Sequence, residues 1–293
     1  MTDLNLDQFY DRESYFGEQL DAVNKNFLTN GKKLRAYFLN SIGLSLDINE
    51  DSTYVMARCT EMIHNATLCH DDVIDNATMR RETPSINQQI DNKKSVLVGD
   101  FLLARAIQEL CALKSLELLR EISKTLELLS QGEFIQDDYS KDSHTWSYEK
   151  FAEVALHKTG SLFAWTFKAP YLFVNTDESL VTQISKLGED FGELFQMRDD
   201  LLDFAKETDK TKMIDIENQN INFVLCMLDN DQRQMVLKDK TITMEQIKPA
   251  LDFYNKKTKE FEQNLEDFPS KGHWTLEIAT ILETHFKGLE ENF

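Results

Sequence analysis

Glycine and proline are scarce, at 10 and 4 residues in 293, where average usage would give roughly 20 and 15. Both residues punctuate turns, so their scarcity predicts few, long elements. No Pro/Gly/Ser-rich linker or low-complexity run marks a boundary. The chain therefore reads as a single domain over 1–293, although a length prior alone would allow about two. Cysteine is rare as well: Cys59, Cys69, Cys111 and Cys226 are scattered and form no C-x-x-C pair. They read as reduced core residues of a cytoplasmic protein. No apolar run reaches the roughly 18 residues that a transmembrane helix requires, and residues 1–11 are acidic and polar, unlike a signal peptide. Stable membrane insertion is thus not expected. Cations are outnumbered, 32 Lys and Arg against 51 Asp and Glu, for a formal charge of −19. That balance argues against nucleic acid as a partner and against electrostatic binding to anionic lipid.

What the chain has instead is helix formers: Leu, Glu, Lys, Gln, Ala and Met dominate. Apolar residues recur at helical spacing over 4–28, through Leu6, Phe9, Phe16, Leu20, Val23 and Phe27. Further helices are expected from a cap at Asp51 or Ser52 to about Asp75, over 94–113 and 115–138, from Ser147 to about Lys158, and from Asp177 to Phe204. Residues 76–93 and 139–146 read as loops. Residues 161–174, with Phe163, Trp165, Phe167, Tyr171 and Phe173, read as core, with a dimer face or the lining of a channel as alternatives. The segment 219–293 reads as acidic helices over 225–228, 244–261 and 276–289, without chemical motifs. The fold class is all-α.

Chemistry concentrates at the end of the 51–75 helix. Asp71 and Asp75 are four residues apart and share a face, and His64 lies two turns back on the same stripe. Like charges at that spacing repel by a few tenths of a kcal/mol, so a cation should compensate. Carboxylate oxygens suit Mg²⁺, which keeps few protein ligands and takes the rest from water and phosphate. Arg80 and Arg81 follow, and paired guanidinium N–H groups suit phosphate oxygens. A zinc site from His64, Cys69 and His70 is disfavoured because the three do not share one helical face. A lone Asp-Asp-x-x-Asp in an acidic chain would mean little. Here a second copy, Asp199, Asp200, Leu201, Leu202, Asp203, ends another long apolar-periodic segment. Two such helices facing each other would put carboxylates on opposite walls of a cavity, bridged by metal ions and a diphosphate. Lys32, Lys33 and Arg35, just after Asn30-Gly31, read on their own as a solvated basic patch, with a phosphate seat at a helix start as the alternative.

Two aspartate-rich motifs, the first preceded by His64 and followed by Arg80-Arg81, resemble the trans-isoprenyl diphosphate synthases, the polyprenyl synthetase family. The resemblance extends to Gly31-Lys32-Lys33-Leu34-Arg35, Val98-Gly99-Asp100-Phe101-Leu102, Gln131-Gly132-Glu133 and Lys158-Thr159-Gly160, over roughly residues 30–215. It implies a bundle of long helices around a central cavity, and an enzyme that condenses an allylic diphosphate with isopentenyl diphosphate using Mg²⁺. By the same resemblance Asp71, Asp75 and Asp199 hold the metal. Lys32, Arg35, His64 and Arg81 hold isopentenyl diphosphate. Arg80, Lys158 and Lys210 bind the allylic diphosphate, Thr159 presents oxygen near the developing cation, and Gln196 belongs to the substrate site. Ala66 and Thr67, small residues one turn before Asp71, resemble those of longer-chain members such as hexaprenyl and heptaprenyl synthases, since the hydrocarbon tail would run back along the helix. A homodimer is implied, with a heterodimer containing a small subunit as the alternative. A non-catalytic subunit and, more remotely, a terpene cyclase are the rival readings.

Four departures stand out. Ala36 replaces a proline, with consequences expected at the helix start only. Glu82 replaces a glycine beside the arginines. The usual glycines are lost around Lys210 and Asp215, and Asn220-Ile221-Asn222-Phe223 replaces a Thr-Leu-Pro-type ending.

Overall fold

In a computed structural model of the protein, residues 33–80, 83–205 and 220–293 are described. The expected helix over 4–28, together with Lys32, Arg81, Glu82, Lys210 and Asp215, lies outside the described residues. The described elements are helical apart from one short antiparallel pair, β1 (Met79–Arg80) and β2 (Thr83–Pro84), with Arg80 opposite Thr83. The all-α expectation is borne out. The chain divides into two compact units, Met1–Leu119 and Arg120–Phe293.

In the first unit, α1 (Leu34–Ser45) follows Lys33, whose backbone is left-handed at φ 45° and whose side chain makes no cap bond. The buried carboxylate of Glu61 supplies the missing acceptor, taking the Ala36 N–H at 3.0 Å. A proline at 36 has no N–H to give. The departure at Ala36 therefore does more than alter the helix start, because it ties α1 to the next helix. That helix, α2 (Glu50–Ile74), is capped by Asn49, whose side chain accepts from the Ser52 N–H at 2.9 Å, rather than by Asp51 or Ser52. Glu50 and Asp51 lie in its first turn, where they favour the positive end of the helix dipole. Part of the expected 76–93 loop is ordered as β1, β2 and a single turn, α3 (Ile86–Gln89). Then α4 (Asn92–Ala112) begins at an Asp91 cap and packs on α2, joined by Cys59 Sγ to the Ala106 carbonyl and Ser95 Oγ to the Cys69 carbonyl. Cys59 and Cys69 are buried but Cys111 is exposed, which corrects the reading of all four thiols as core.

The second unit contains most of α5 (Leu116–Ser140), then α6 (Tyr148–Ala155), capped by Ser147. This segment does not stop near Lys158 as expected. It widens into one π-helical turn, Leu156–Gly160, and continues as α7 (Ser161–Phe173). Asp177 caps α8 (Glu178–Leu202) through the Ser179 N–H, as the sequence predicts. After it come α9 (Phe223–Cys226), α10 (Asn230–Asp239), α11 (Met244–Asp267) and α12 (His273–Ile281), the last closing in a π-turn, Leu282–Phe286. The sequence reading missed α10. Its signature was present in the Asp229/Gln232 capping box.

Aromatic rings fill this core. Phe163, Trp165, Phe167, Tyr171, Phe191 and Trp274 are buried, and Phe191 sits 5.0 Å from Phe163 and 5.3 Å from Phe286, centre to centre. Each such burial is worth about 1.5–3 kcal/mol. Arg233, also buried, is held by three carbonyls, those of Leu225, Leu228 and Ser143, at 2.8–2.9 Å. It thereby fixes the far end of α9.

Candidate active site

At the end of α2 the three aspartates of the first motif separate by exposure. Asp71 and Asp75 are half-buried; Asp72 is wholly buried. Extending the apolar stripe Met62, Ala66, Cys69 by one turn lands on Asp72, which explains its direction. A buried carboxylate must be paired or protonated, and Asp72 is paired. Its Oδ1 accepts from Arg80 Nε at 2.7 Å and Nη2 at 2.6 Å, and its Oδ2 accepts from the Ile86 N–H at 3.3 Å. Asn87 Nδ2 donates to its backbone carbonyl at 3.1 Å. Asp72 thus fixes Arg80 and the start of α3 together. Burial, and then the Asp72 charge, push the neighbouring Cys69 thiol well above its ordinary range. His70 points elsewhere, 3.3 Å from the Val96 carbonyl and 3.5 Å from Asp100, so Asp100 is a partner for His70 on α4.

At the end of α8 the second motif repeats the pattern. Asp200 is buried, and the Asp199 side chain is 48 % exposed. Asp200 Oδ2 accepts from the Phe223 N–H at 2.6 Å, at the start of α9, where Asn222 adds a cap to the Val224 N–H. Asp200 Oδ1 accepts from Gln196 Nε2 at 2.8 Å, and Gln196 Oε1 accepts from Thr159 Oγ1 at 2.9 Å. A relay therefore runs from Thr159 through Gln196 and Asp200 into the backbone of α9. It depends on close backbone approach. A Cβ on Gly192 would lie 2.5 Å from Gly160 Cα, so any larger residue would push the π-turn carrying Thr159 away from α8.

Lys158, on the same π-turn, is held by Glu133 at 2.8 Å and by Gln136 at 3.1 Å, both on α5. Gly132 allows this, because a Cβ there would come within 2.7 Å of Lys158 Cγ. Gly132 thus sits at a close crossing of α5 with the π-turn, with polar partners beside it. The structure thus brings together Asp72 with Arg80, Lys158 with Glu133 and Gln136, and Thr159 with Gln196 and Asp200. It places Arg35, half-buried, in the first turn of α1, and His64, also half-buried, two turns before Asp71. Ala66 is fully buried, whereas Thr67 is half-buried and donates to the His64 carbonyl at 2.8 Å.

Two helix ends, each presenting carboxylates around one buried, fully committed aspartate, lie in a chain whose residues 18–253 match the polyprenyl synthetase model. The chain belongs to the polyprenyl synthetase family. A prenyl transferase of Cyanidium caldarium is 35 % identical over 193 residues, covering 64 % of this chain and 59 % of that protein. The chain thus spans less than two thirds of that curated relative. A decaprenyl diphosphate synthase from Rhodobacter capsulatus superposes with a TM-score of 0.79 over 98 % of this chain and 93 % of the other, at 21 % identity, a likeness of fold. A polyprenyl synthase from Caulobacter crescentus, solved with calcium and isoprenyl diphosphate, gives 0.71 at 25 % identity over 84 % and 81 % of the two chains.

Among the described residues no three His, Cys, Asp or Glu side chains gather to hold one ion. A polyprenyl synthetase donor set of hard carboxylates, one or two to a helix end, fits a cation such as Mg²⁺ that completes its shell with water and phosphate oxygens. Sequence reasoning missed Asp72, Asp200 and Glu61 as organisers. For the two aspartates the signal was there, since each continues the buried stripe of its helix.

Proposed function

We propose that this protein is a trans-prenyl transferase that lengthens an allylic diphosphate with isopentenyl diphosphate, to a product of medium or long chain. The observation that carries this reading is the twofold arrangement of a buried aspartate flanked by more exposed ones. It keeps Asp71 and Asp75 on one helix end, and Asp199 on the other, in place without committing them to the core. In the reaction the allylic C–O bond breaks and diphosphate leaves with the electron pair. The isopentenyl double bond attacks the allylic carbon, and a proton passes to the departing diphosphate. Mg²⁺, held by Asp71, Asp75 and Asp199, supplies charge neutralisation for that leaving group. Arg80, aimed by Asp72, and Lys158, aimed by Glu133 and Gln136, add fixed positive charge, with Lys210 as a third cation. Lys32, Arg35, His64 and Arg81 seat isopentenyl diphosphate. Thr159, oriented by Gln196, offers oxygen to the allylic cation. Water must be kept out, because the cation would hydrolyse.

The test is purified protein with Mg²⁺, farnesyl diphosphate and labelled isopentenyl diphosphate. Elongated product supports the reading. Hydrocarbon from the allylic substrate alone would make the protein a cyclase. Product only after a second protein is added would make it an obligate subunit, a reading favoured by Glu82 and by the altered ending at Asn220–Phe223. Chain length gives a further test. The half-buried Thr67 is the side chain of the pair able to meet a product tail, and Thr67→Phe is expected to shorten the product on chromatography. Ala66→Phe would first overpack the core, at about 1–3 kcal/mol. A homodimer and a cytoplasmic setting complete the proposal, to be checked by light scattering and by fractionation.

A further inference from the structure

The second motif carries a cation that the first does not carry at the same place. Arg198 directly precedes Asp199, and its Nη1 lies 3.0 Å from Asp199 Oδ1. The Arg198 side chain is only 16 % exposed, and its guanidinium is anchored independently of that aspartate. Its Nε donates to the His285 carbonyl at 2.6 Å, and its Cζ stands 5.6 Å from the centre of the Phe286 ring. The anchor is itself braced. His285 and Phe286 end the π-turn Leu282–Phe286, where terminal carbonyls lack partners within the helix. Arg198 takes the first of these carbonyls, and the buried Tyr254 hydroxyl donates to the second at 2.9 Å. A helix C-terminus favours a cation, and a ring face adds to the attraction. The guanidinium therefore has reasons to stay where it is whether or not Asp199 is engaged with it.

We propose that Arg198 is a positioning residue that acts as the resident counter-ion of Asp199, so that a divalent cation binds the second motif only in competition with it. The inference rests on the reading of Asp199 as a cation ligand. To hold a divalent ion, Asp199 would have to give up the guanidinium at Oδ1, and Arg198, retained by the His285 carbonyl, would remain nearby as a fixed positive charge. The second motif thus holds a divalent ion more weakly than its carboxylates alone would. Bound diphosphate, whose charge offsets both cations, removes the handicap. Binding of metal at this helix end is thereby made dependent on substrate.

The experiment uses the full-length protein without substrate, with Mn²⁺ as the probe. Free Mn²⁺ is followed by electron paramagnetic resonance, and the Mn²⁺-induced shift in Tm is recorded alongside. Arg198→Gln is expected to lower the melting temperature without metal, bind Mn²⁺ at least about threefold more tightly, and show a larger Mn²⁺-induced shift. Arg198→Lys retains the charge and is expected to stay close to the unmutated protein in affinity. A purely structural arginine would lower the melting temperature and leave Mn²⁺ affinity and its thermal shift unchanged, which would overturn the proposal, as would weaker binding in Arg198→Gln. Asp199→Asn separates the two readings. If it binds Mn²⁺ as the unmutated protein does, Asp199 is not a cation ligand. If it loses binding while Arg198→Gln changes nothing, only the counter-ion inference fails.

Discussion

Asp72 and Asp200 occupy the same place in their motifs, and each caps the first N–H of the short helix that follows, α3 or α9. Their other partners differ. Asp72 spends its second interaction on a guanidinium, that of Arg80. Asp200 spends it on the neutral amide of Gln196, and through it on Thr159. One sequence pattern therefore serves two purposes. At the end of α2 it fixes a cation, suited to a phosphate. At the end of α8 it fixes a hydroxyl, suited to an electron-poor carbon. The residue directly before the first aspartate also differs, Arg198 before Asp199 and His70 before Asp71.

The largest expected effect separates flanking from buried aspartates. Asp71→Ala or Asp199→Ala should abolish condensation while leaving the thermal transition close to that of the unmutated protein. Near-normal turnover in either would refute the metal assignment. The buried pair should behave in the opposite order, with fold affected before chemistry. Asp72→Asn removes a charge-assisted pair and leaves Arg80, whose side chain is 28 % exposed, to find water, a loss of about 2–4 kcal/mol. Asp200→Asn keeps one acceptor oxygen but turns an amide N–H toward a donor, a loss of about 1–3 kcal/mol. Urea denaturation of both variants would break the comparison if Asp200→Asn proved the more damaging.

The helix ends show how much was legible. Periodicity located α2, α4, α5 and α8, because a buried stripe leaves a repeating trace. Among these four a side-chain cap fixed the start only of α8, at Asp177, since α2 is capped by Asn49 and not by Asp51 or Ser52. The two aspartate motifs were legible by spacing. What spacing did not say is which aspartate of an adjacent pair turns inward, since neighbours on a helix differ by about 100° and the answer lies in the phase of the whole stripe. The π-turn at Leu156–Gly160 was illegible for a different reason. One extra residue per turn shifts the phase without a distinctive composition, so Lys158 and Thr159 looked like a helix end. Long-range bonds such as Glu61 to Ala36 leave no local trace at all.

That bond supplies a smaller effect confined to the first unit. Ala36→Pro restores the family's residue, keeps a φ compatible with a helix start, and removes the N–H given to Glu61. A loss of about 1–2 kcal/mol is expected in urea denaturation. A gain instead would mean that the reduced freedom of the unfolded chain outweighs the bond, and that α1 does not depend on Glu61.

The smallest effect is one of order, and it uses the thiol buried beside each motif. Burial pushes Cys69 and Cys226 up, Cys226 to about 12. Neither is an anion at neutral pH, so each reacts with a disulfide reagent only when its surroundings open. With the exposed Cys111 replaced by serine, the remaining fast-labelling site is gone. Cys226 belongs to a four-residue helix pinned by Asp200 at one end and Arg233 at the other, whereas Cys69 lies within the 25-residue α2. A single turn gains little cooperativity from its neighbours. Cys226 should therefore label before Cys69, and Asp200→Asn should speed Cys226 alone. If Cys69 labelled first, α9 would be better anchored than its length suggests, and the end of α2 would be the less stable of the two segments.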